Sequence, residues 1–252
     1  MTLAEIALIA VAGLAAGAVN AVAGGGSLIS FPALLAIGLP SVTANVTNTV
    51  ALFPGYLGSV LGGRQELVGQ GPRIRSLAVV SVVGAIGGAV LLLTTPGDVF
   101  RRVVPFLILL ACALLLAQPR LARAVQARGS AGAAQHGLVL QAAALLAAVY
   151  GAYFGAGLGV MLLGVLGVFL AERLQRVNAL KNVLSLVINS VALLAFGLFG
   201  PVAWGAVLVV AVASLVGGYL GARVARRIPS TVLRALVVVY GVGVAVVLLL
   251  RG

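Results

Sequence analysis

One lysine is the most distinctive chemical group in this sequence. Lys181 is the only lysine, and it lies in the run Asn178-Ala-Leu-Lys181-Asn182 within an apolar segment. A lysine ammonium is a compact positive charge, which suits it to binding an anion. Its aliphatic stem can instead carry the charge to a membrane surface, here about 6–8 Å away along a helix. Both interpretations, an anion-binding group and an interface anchor, remain open from the sequence.

Glycines interrupt the apolar sequence at two places. Three of them, Gly24 to Gly26, precede Ser27, and a second group consists of Gly155, Gly157 and Gly159. In a bilayer, unpaired backbone groups are tolerated only where they are buried in protein or line a cavity. A helix that begins after such a break directs its N-terminal N–H groups and the positive end of its dipole at the break, where an anion is stabilised. We therefore favour an anion site over the alternative that these glycines only permit close helix packing.

Neutral polar side chains near the two breaks complete the candidate site. Such side chains often only form hydrogen bonds between helices, and each of these bonds contributes on average ~0.6 kcal/mol to stability. Asn48 and Asn182, however, occupy equivalent positions in the two halves of the chain, which favours a shared binding role. The candidate substrate-binding residues are Asn20, Gly24, Gly25, Gly26, Ser27, Asn45, Thr47, Asn48, Gly157, Gly159, Asn178, Lys181 and Asn182.

Groups that could carry out catalysis are scarce. The acidic residues all fall near predicted segment ends, and they are Glu5, Glu66, Asp98 and Glu172. The single histidine, His136, lies in a basic stretch. No pair of carboxylates, metal-ligand cluster or Ser-His-Asp set can be assembled, so we expect no enzyme activity, no metal and no cofactor. Coupling to protons or sodium through a buried carboxylate is disfavoured for the same reason.

The composition is that of a membrane protein. Hydrophobic residues make up 62% of the 252 residues and charged residues only 8%, whereas about a quarter of a soluble domain is charged. The net charge of +12 comes from arginines in the short gaps between apolar segments, a pattern that orients membrane proteins and contacts anionic lipid headgroups. We predict a multi-pass protein of the bacterial inner membrane, with lipid neighbours, no nucleic-acid partner and an undetermined oligomeric state.

Ten apolar segments predict an all-α protein. Five precede a basic stretch and five follow it, at about 3–22, 27–38, 43–62, 75–94 and 99–117, then 137–156, 158–171, 177–197, 202–222 and 231–250. We predict one integral membrane domain, made of a first repeat (1–117), a basic cytoplasmic linker (118–136) and a second repeat (137–252). Since the second segment of each repeat is short of the ~20 residues that span a bilayer, each repeat has either five spans or three spans plus a hairpin of two half-helices.

The two halves resemble each other along their length. At an offset of 134 residues Gly25 matches Gly159, and Asn48 matches Asn182. The pattern Ser-x-x-Gly-x-x-x-Gly-Ala, which begins at Ser81, recurs in the second half. A pattern of this length that occurs twice at a constant spacing indicates a duplicated unit.

Charges in the connecting segments predict that the two units are inserted in opposite orientations. Three arginines lie between residues 64 and 75, whereas the corresponding gap at 199–204 has no charge. Before the third segment the pattern is reversed, because only the second half carries Arg173 and Arg176. Positive connections face the cytoplasm. Corresponding connections therefore face opposite sides, as in transporters built from inverted repeats with glycine-broken helices.

The same motifs resemble those of a known family. The run Gly24-Gly-Gly-Ser-x-x-x-Phe-Pro-x-Leu34, followed by Ala44-x-x-Thr47-Asn48, resembles the TauE/SafE sulfite-exporter family. The second-half runs at 155–159 and 178–182 are similar to that family's second repeat. The resemblance covers nearly the whole chain, and it implies a transporter, often an exporter, of small sulfur-containing anions such as sulfite and sulfonates.

These observations predict a membrane transporter, and specifically an exporter of a small sulfur-containing or organic anion. We expect the glycine breaks to meet near the bilayer midplane, with Asn48, Lys181 and Asn182 around the substrate. The alternative within transport is another small metabolite. A membrane enzyme that acts on lipid-linked substrates is disfavoured, because the sequence lacks catalytic groups. A purely structural scaffold is also disfavoured, because it would not require paired glycine breaks.

Overall fold

Helices account for the regular structure that we describe. The computed structural model describes residues 1–22, 25–62, 64–128, 137–170, 172–224 and 230–251, and within them there is no β-strand. This confirms the all-α prediction. The helices are α1 (Leu3–Val22), α2 (Ser27–Ala36), α3 (Ser41–Gly62), α4 (Gly71–Thr94), α5 (Gly97–Arg128), α6 (Gly137–Tyr153), α7 (Leu158–Phe169), α8 (Leu174–Phe199), α9 (Trp204–Val224) and α10 (Ser230–Arg251), with a 3₁₀ turn at Arg64–Leu67.

Several helices are long and apolar enough to cross a membrane. The described residues contain four such helices, α1, α4, α5 and α8, and only 33–39% of the residues in these spans are buried inside the protein. Large apolar side chains such as Val79, Phe106 and Leu194 are instead 61–64% exposed. Soluble monomers rarely present extensive apolar surface to water, so this surface is one that lipid covers. The prediction of a multi-pass membrane protein is confirmed.

The helices that follow the glycine breaks are half as long as a membrane span. α2 has 10 residues and α7 has 12. At 1.5 Å per residue they measure about 15 and 18 Å, against a hydrocarbon thickness of about 30 Å. Both are buried in the bundle through residues such as Leu34 and Leu162, which have no exposed surface. These lengths favour the hairpin alternative, in which each break separates two helices that do not both cross the bilayer.

The repeated Ser-x-x-Gly-x-x-x-Gly-Ala pattern is a helix-packing motif. α1 packs most extensively on α9, and α6 packs on α4, which are the equivalent pairs in the two halves. A Cβ added at Gly84 would lie 2.6 Å from the carbonyl oxygen of Leu145, and one at Gly217 would lie 2.0 Å from that of Leu14. Any side chain at these glycines would force the helices apart. The motif therefore recurs because the same close contact is formed twice.

The equivalent helices α3 and α8 run antiparallel. At one end Arg173, just before α8, pairs with Glu66, just after α3, at 3.8 Å. At the other end the N–H of Ala203, just after α8, donates to the Thr47 hydroxyl near the start of α3, at 3.0 Å. Inverted repeats produce this arrangement, in which matched elements point in opposite directions. Inverted insertion in the membrane stays a prediction.

The predicted linker begins inside a helix. α5 continues to Arg128, beyond the predicted end of the first repeat at residue 117. Residues 129–136 of the linker, which include His136, lie outside the described residues. The division of the chain into 1–117, 118–136 and 137–252 stays a prediction.

Cysteine labelling tests the predicted orientation. Val68 and Phe199 are 74% and 78% exposed and lie in corresponding connections of the two halves, while the native Cys112 is buried. In a Cys112→Ala background, we expect a membrane-impermeant maleimide to reach Val68→Cys only from the cytoplasm and Phe199→Cys only from outside. Permeabilised membranes, in which both positions should react, provide the control. Labelling of both positions from the same side of sealed membranes would contradict the inverted arrangement.

Candidate functional site

The two glycine breaks border the same cavity. This cavity has a volume of about 70 Å³ and lies where the N-termini of α2 and α7 meet the second half of α3 and the first half of α8. A cavity of this size holds a few water molecules or a small anion. Gly24 lies outside the described residues. The predicted site residues that line the cavity are Asn20, Gly25, Ser27, Gly157, Gly159, Lys181 and Asn182.

The second break is shaped by two glycines in a left-handed conformation. Gly155 and Gly157 have φ angles of +78° and +77°, which L-residues with a side chain rarely adopt. They allow the chain to turn from α6 into α7, where the Leu158 N–H donates to the Gly155 oxygen and the Val160 N–H to the Gly157 oxygen. Among the described residues, none accepts a hydrogen bond from the N–H of Gly159. The first turn of α7 thus presents an unused donor at the cavity.

The first break is closed by the side chain of Asn20. Its Oδ1 accepts hydrogen bonds from the N–H groups of Gly25 (3.1 Å) and Gly26 (2.8 Å). Those two donors are therefore used within the protein and are not available to a ligand. A Cβ on Gly26 would lie 2.2 Å from the Ala16 oxygen, so the end of α1 and the start of α2 can approach this closely only with glycine. By accepting these two hydrogen bonds, Asn20 fixes the conformation of the first break, which borders the cavity.

Lys181 extends along the N-terminal turn of α7. Its Nζ lies 3.9 Å from the position that a Cβ on Gly159 would occupy. None of the salt bridges among the described residues includes Lys181, since Glu172 pairs with Arg73 and Arg176 instead. The ammonium thus lies beside the positive end of a helix dipole without a carboxylate to neutralise it. This geometry favours the anion-binding interpretation of Lys181 over the interface anchor.

Three hydroxyl groups at the cavity, those of Tyr56, Ser59 and Ser185, were not predicted from the sequence. Ser185 lies one helical turn after Lys181, is 2% exposed, and its hydroxyl has no hydrogen-bond partner among the described residues. A buried polar group without a partner costs about 1–3 kcal/mol, so a ligand or water that bonds to it is stabilised. Tyr56 of α3 also lines the cavity and interacts with Asn189. The i, i+4 spacing from Lys181 was the available signal for Ser185.

Five described residues of the predicted site are not among those that line the cavity, namely Gly26, Asn45, Thr47, Asn48 and Asn178. The Asn48 Oδ1 accepts a hydrogen bond from the hydroxyl of Ser30, which joins α3 to α2. The Thr47 hydroxyl accepts the Ala203 N–H that precedes α9. Asn48 and Thr47 are 2% and 0% exposed. In this conformation, both therefore join helices.

Asn45 supports the second glycine break from outside the cavity. Its Nδ2 donates to the carbonyl oxygen of Tyr153, the last residue of α6, at 2.9 Å, while its buried Oδ1 has no partner among the described residues. Asn178 is half-buried in the first turns of α8, before Lys181. Neither residue touches the space that the two breaks enclose.

A larger cavity of about 720 Å³ adjoins the first, between α1, α3 and α9. Cβ atoms at Gly55 and Gly58 would meet no atom within 4 Å, so this face of α3 borders open space. The equivalent residues of the second half, Asn189 and Ala192, are instead 4% and 0% exposed. The bundle is therefore open on one side of the site and packed on the other. The two cavities share Asn20, Leu52, Gly55 and Ser59.

Known proteins match this chain along most of its length. A probable membrane transporter protein, ORF9 of Sinorhizobium sp., is 26% identical over 97% of this chain and 92% of its own length. A probable membrane transporter protein of Haemophilus influenzae is 27% identical over 93% and 90%, respectively. The probable membrane transporter protein YfcA of Escherichia coli K12 is 28% identical over 84% and 76%. No solved structure matches.

The family assignment agrees with the architecture. Residues 9–248 match the family model described as Sulfite exporter TauE/SafE, which thus includes both glycine breaks and Lys181. The matched relatives are named as transporters and not as enzymes. The chain belongs to the sulfite exporter TauE/SafE family and is a multi-pass membrane transporter.

Proposed function

We propose that this transporter exports a small sulfur-containing oxyanion, such as sulfite or a small sulfonate, and binds it between the N-termini of α2 and α7 and the ammonium of Lys181. The observation that carries the proposal is the position of this ammonium. It lies beside the first turn of α7, and no salt bridge among the described residues neutralises it.

Electrostatics favour an anion over a neutral metabolite at this position. The N-terminus of a helix is equivalent to about half a positive charge, so an ammonium beside it is repelled until a negative charge is bound. Two unit charges of opposite sign that lie 4 Å apart have an attractive Coulomb energy of about 4 kcal/mol at an effective dielectric constant of 20. A neutral ligand gains none of this energy. The Gly159 N–H and the Ser185 hydroxyl add donors for the oxygen atoms of an oxyanion.

The lining of the cavity also limits the ligand. No carboxylate lines it. A zwitterion such as an aminosulfonate would therefore bring its own ammonium next to Lys181 without a counter-charge. The space of about 70 Å³ between the two breaks suits the charged group of a small anion. These features favour a simple oxyanion over a zwitterion.

The larger cavity is compatible with export. Gly55 and Ser59 lie in the last third of α3, shortly before the arginine-rich connection at 64–75. Positive connections face the cytoplasm. In the inner membrane of a bacterium, the cavity between α1, α3 and α9 would thus connect the site to the cytoplasm, from which an exporter takes up its substrate.

Substitution of Lys181 tests the central group of this site. We expect both Lys181→Met and Lys181→Arg to reduce sulfite flux into proteoliposomes at least tenfold at matched protein content. Methionine removes the charge, and the larger planar guanidinium fits the small cavity badly although it keeps the charge. Arg102→Met, which removes an exposed charge outside the cavity, is the control and should transport normally. Wild-type flux in the arginine variant would reduce Lys181 to an interface anchor.

Gly159→Ala separates a binding role from a packing role. A Cβ at Gly159 would meet only the Lys181 side chain, at 3.8–4.0 Å, so the fold can accept it. Because Gly159 lies in the first turn of α7, and not in its middle, alanine should change the thermal stability little. It should also weaken anion binding about tenfold, because its methyl group lies between the α7 backbone and the ammonium. Thermal unfolding with and without sulfite measures both effects.

Gly164→Ala is the matched control for this variant. Gly164 lies in the same helix, and its added Cβ would make ordinary contacts with Leu121 at 3.4–3.6 Å, away from the cavity. The Gly164 variant should bind sulfite as the wild type does. Equal affinities in the two variants would show that Gly159 does not face the ligand.

A further inference from the structure

A second polar cavity lies at the arginine-rich end of the bundle. Its volume is about 390 Å³, and it is enclosed by the starts of α4, α6 and α8. It shares no lining residue with the transport cavities, so it is separate from the proposed substrate site. Its polar lining residues are Gln70, Arg73, Ser76, Gln141, Glu172 and Arg176.

The charges in this cavity do not balance. Arg73 and Arg176 both bind Glu172, at 3.2 and 2.9 Å, and each uses a different carboxylate oxygen. Glu66, the nearest other carboxylate in sequence, pairs instead with Arg173. Two guanidinium groups thus share one carboxylate, which leaves one excess positive charge. Arg73, Arg176 and Glu172 are only 23–26% exposed, so this charge is screened by water less than at an open surface.

Donors remain available on both arginines. A guanidinium has five N–H groups. Arg73 uses one of them on Glu172, and Arg176 uses one on Glu172 and one on the carbonyl oxygen of Val68. Close by, the Gln141 Nε2 donates to the Ser76 hydroxyl at 3.2 Å. The cavity therefore offers a fork of N–H donors that matches the geometry of a phosphate.

Part of the cavity lining is apolar. It is formed by Pro72 and by three leucines, Leu77, Leu140 and Leu170, which are 2–7% exposed. A simple inorganic anion gains nothing from contact with these leucines. An amphiphile, in contrast, can place its polar group at the arginines and its hydrocarbon chain against the leucines. Basic pockets of this kind between membrane helices suit the headgroups of anionic lipids, which are enriched in the cytoplasmic leaflet.

We propose that this cavity binds an anionic phospholipid, with the phosphate at Arg73 and Arg176 and the first part of an acyl chain against the three leucines. Because the walls come from α4 of the first half and from α6 and α8 of the second, the bound lipid links the two halves at this end of the bundle. The proposal is independent of the substrate, since neither Lys181 nor the glycine breaks border this cavity.

Two substitutions with opposite expected effects test the site. The measurement is the retention of phosphatidylglycerol by the purified full-length transporter, by native mass spectrometry, in competition with phosphatidylcholine. Arg73→Gln removes the excess charge and should lower the retention at least fivefold. Glu172→Gln leaves both guanidinium groups unneutralised and should raise it. If the ion pairs only support the fold, Glu172→Gln would lower thermal stability without any gain in lipid, and that result would overturn the proposal.

Arg123→Gln is the matched control. Arg123 is an exposed arginine of α5, outside this cavity, and its loss should leave lipid retention unchanged. Inorganic phosphate at millimolar concentration distinguishes the possible sources of the anion. We expect that phosphate does not displace the lipid, because phosphate gains nothing from contact with the apolar lining. Displacement of the lipid by phosphate, or equal retention in all three variants, would contradict a phospholipid site.

Discussion

An unneutralised positive charge inside an apolar bundle is the constraint on which this structure depends. The ammonium of Lys181 lies at the first turn of α7, where the helix dipole is also positive, and the salt bridges of the described residues do not include it. Such an arrangement is unfavourable unless an anion completes it. In the proposed function, the substrate supplies this negative charge.

The fold positions this charge with glycines that serve different purposes. Gly155 and Gly157 turn the chain in a left-handed conformation so that α7 can begin at the cavity. Gly84 and Gly217 allow equivalent helix pairs to touch along their backbones. The antiparallel α3 and α8 then bring the first break to the second. The proposed anion site would draw on both halves, because each half contributes one broken helix.

The extent to which the sequence predicts these features depends on the kind of contact. Helix content and membrane insertion follow from composition, and the pairing of Gly25 with Gly159 follows from the alignment of the halves. The contacts of individual polar side chains, in contrast, do not follow from the sequence. Asn48 and Asn182 are equivalent in sequence, yet only Asn182 lines the cavity, because one side of the bundle is packed and the other is open. Ser185 was missed because its distinguishing property is burial without a partner.

The location of a bound oxyanion tests the account most directly. Selenite has the shape and charge of sulfite, and its selenium scatters anomalously, so crystals of the transporter soaked in selenite would locate the ion without an assumption about its site. We expect an anomalous peak between the Gly159 N–H and the Lys181 ammonium, within hydrogen-bonding distance of the Ser185 hydroxyl. A peak found only at Arg73 and Arg176, with the space between the glycine breaks empty, would contradict the proposed site.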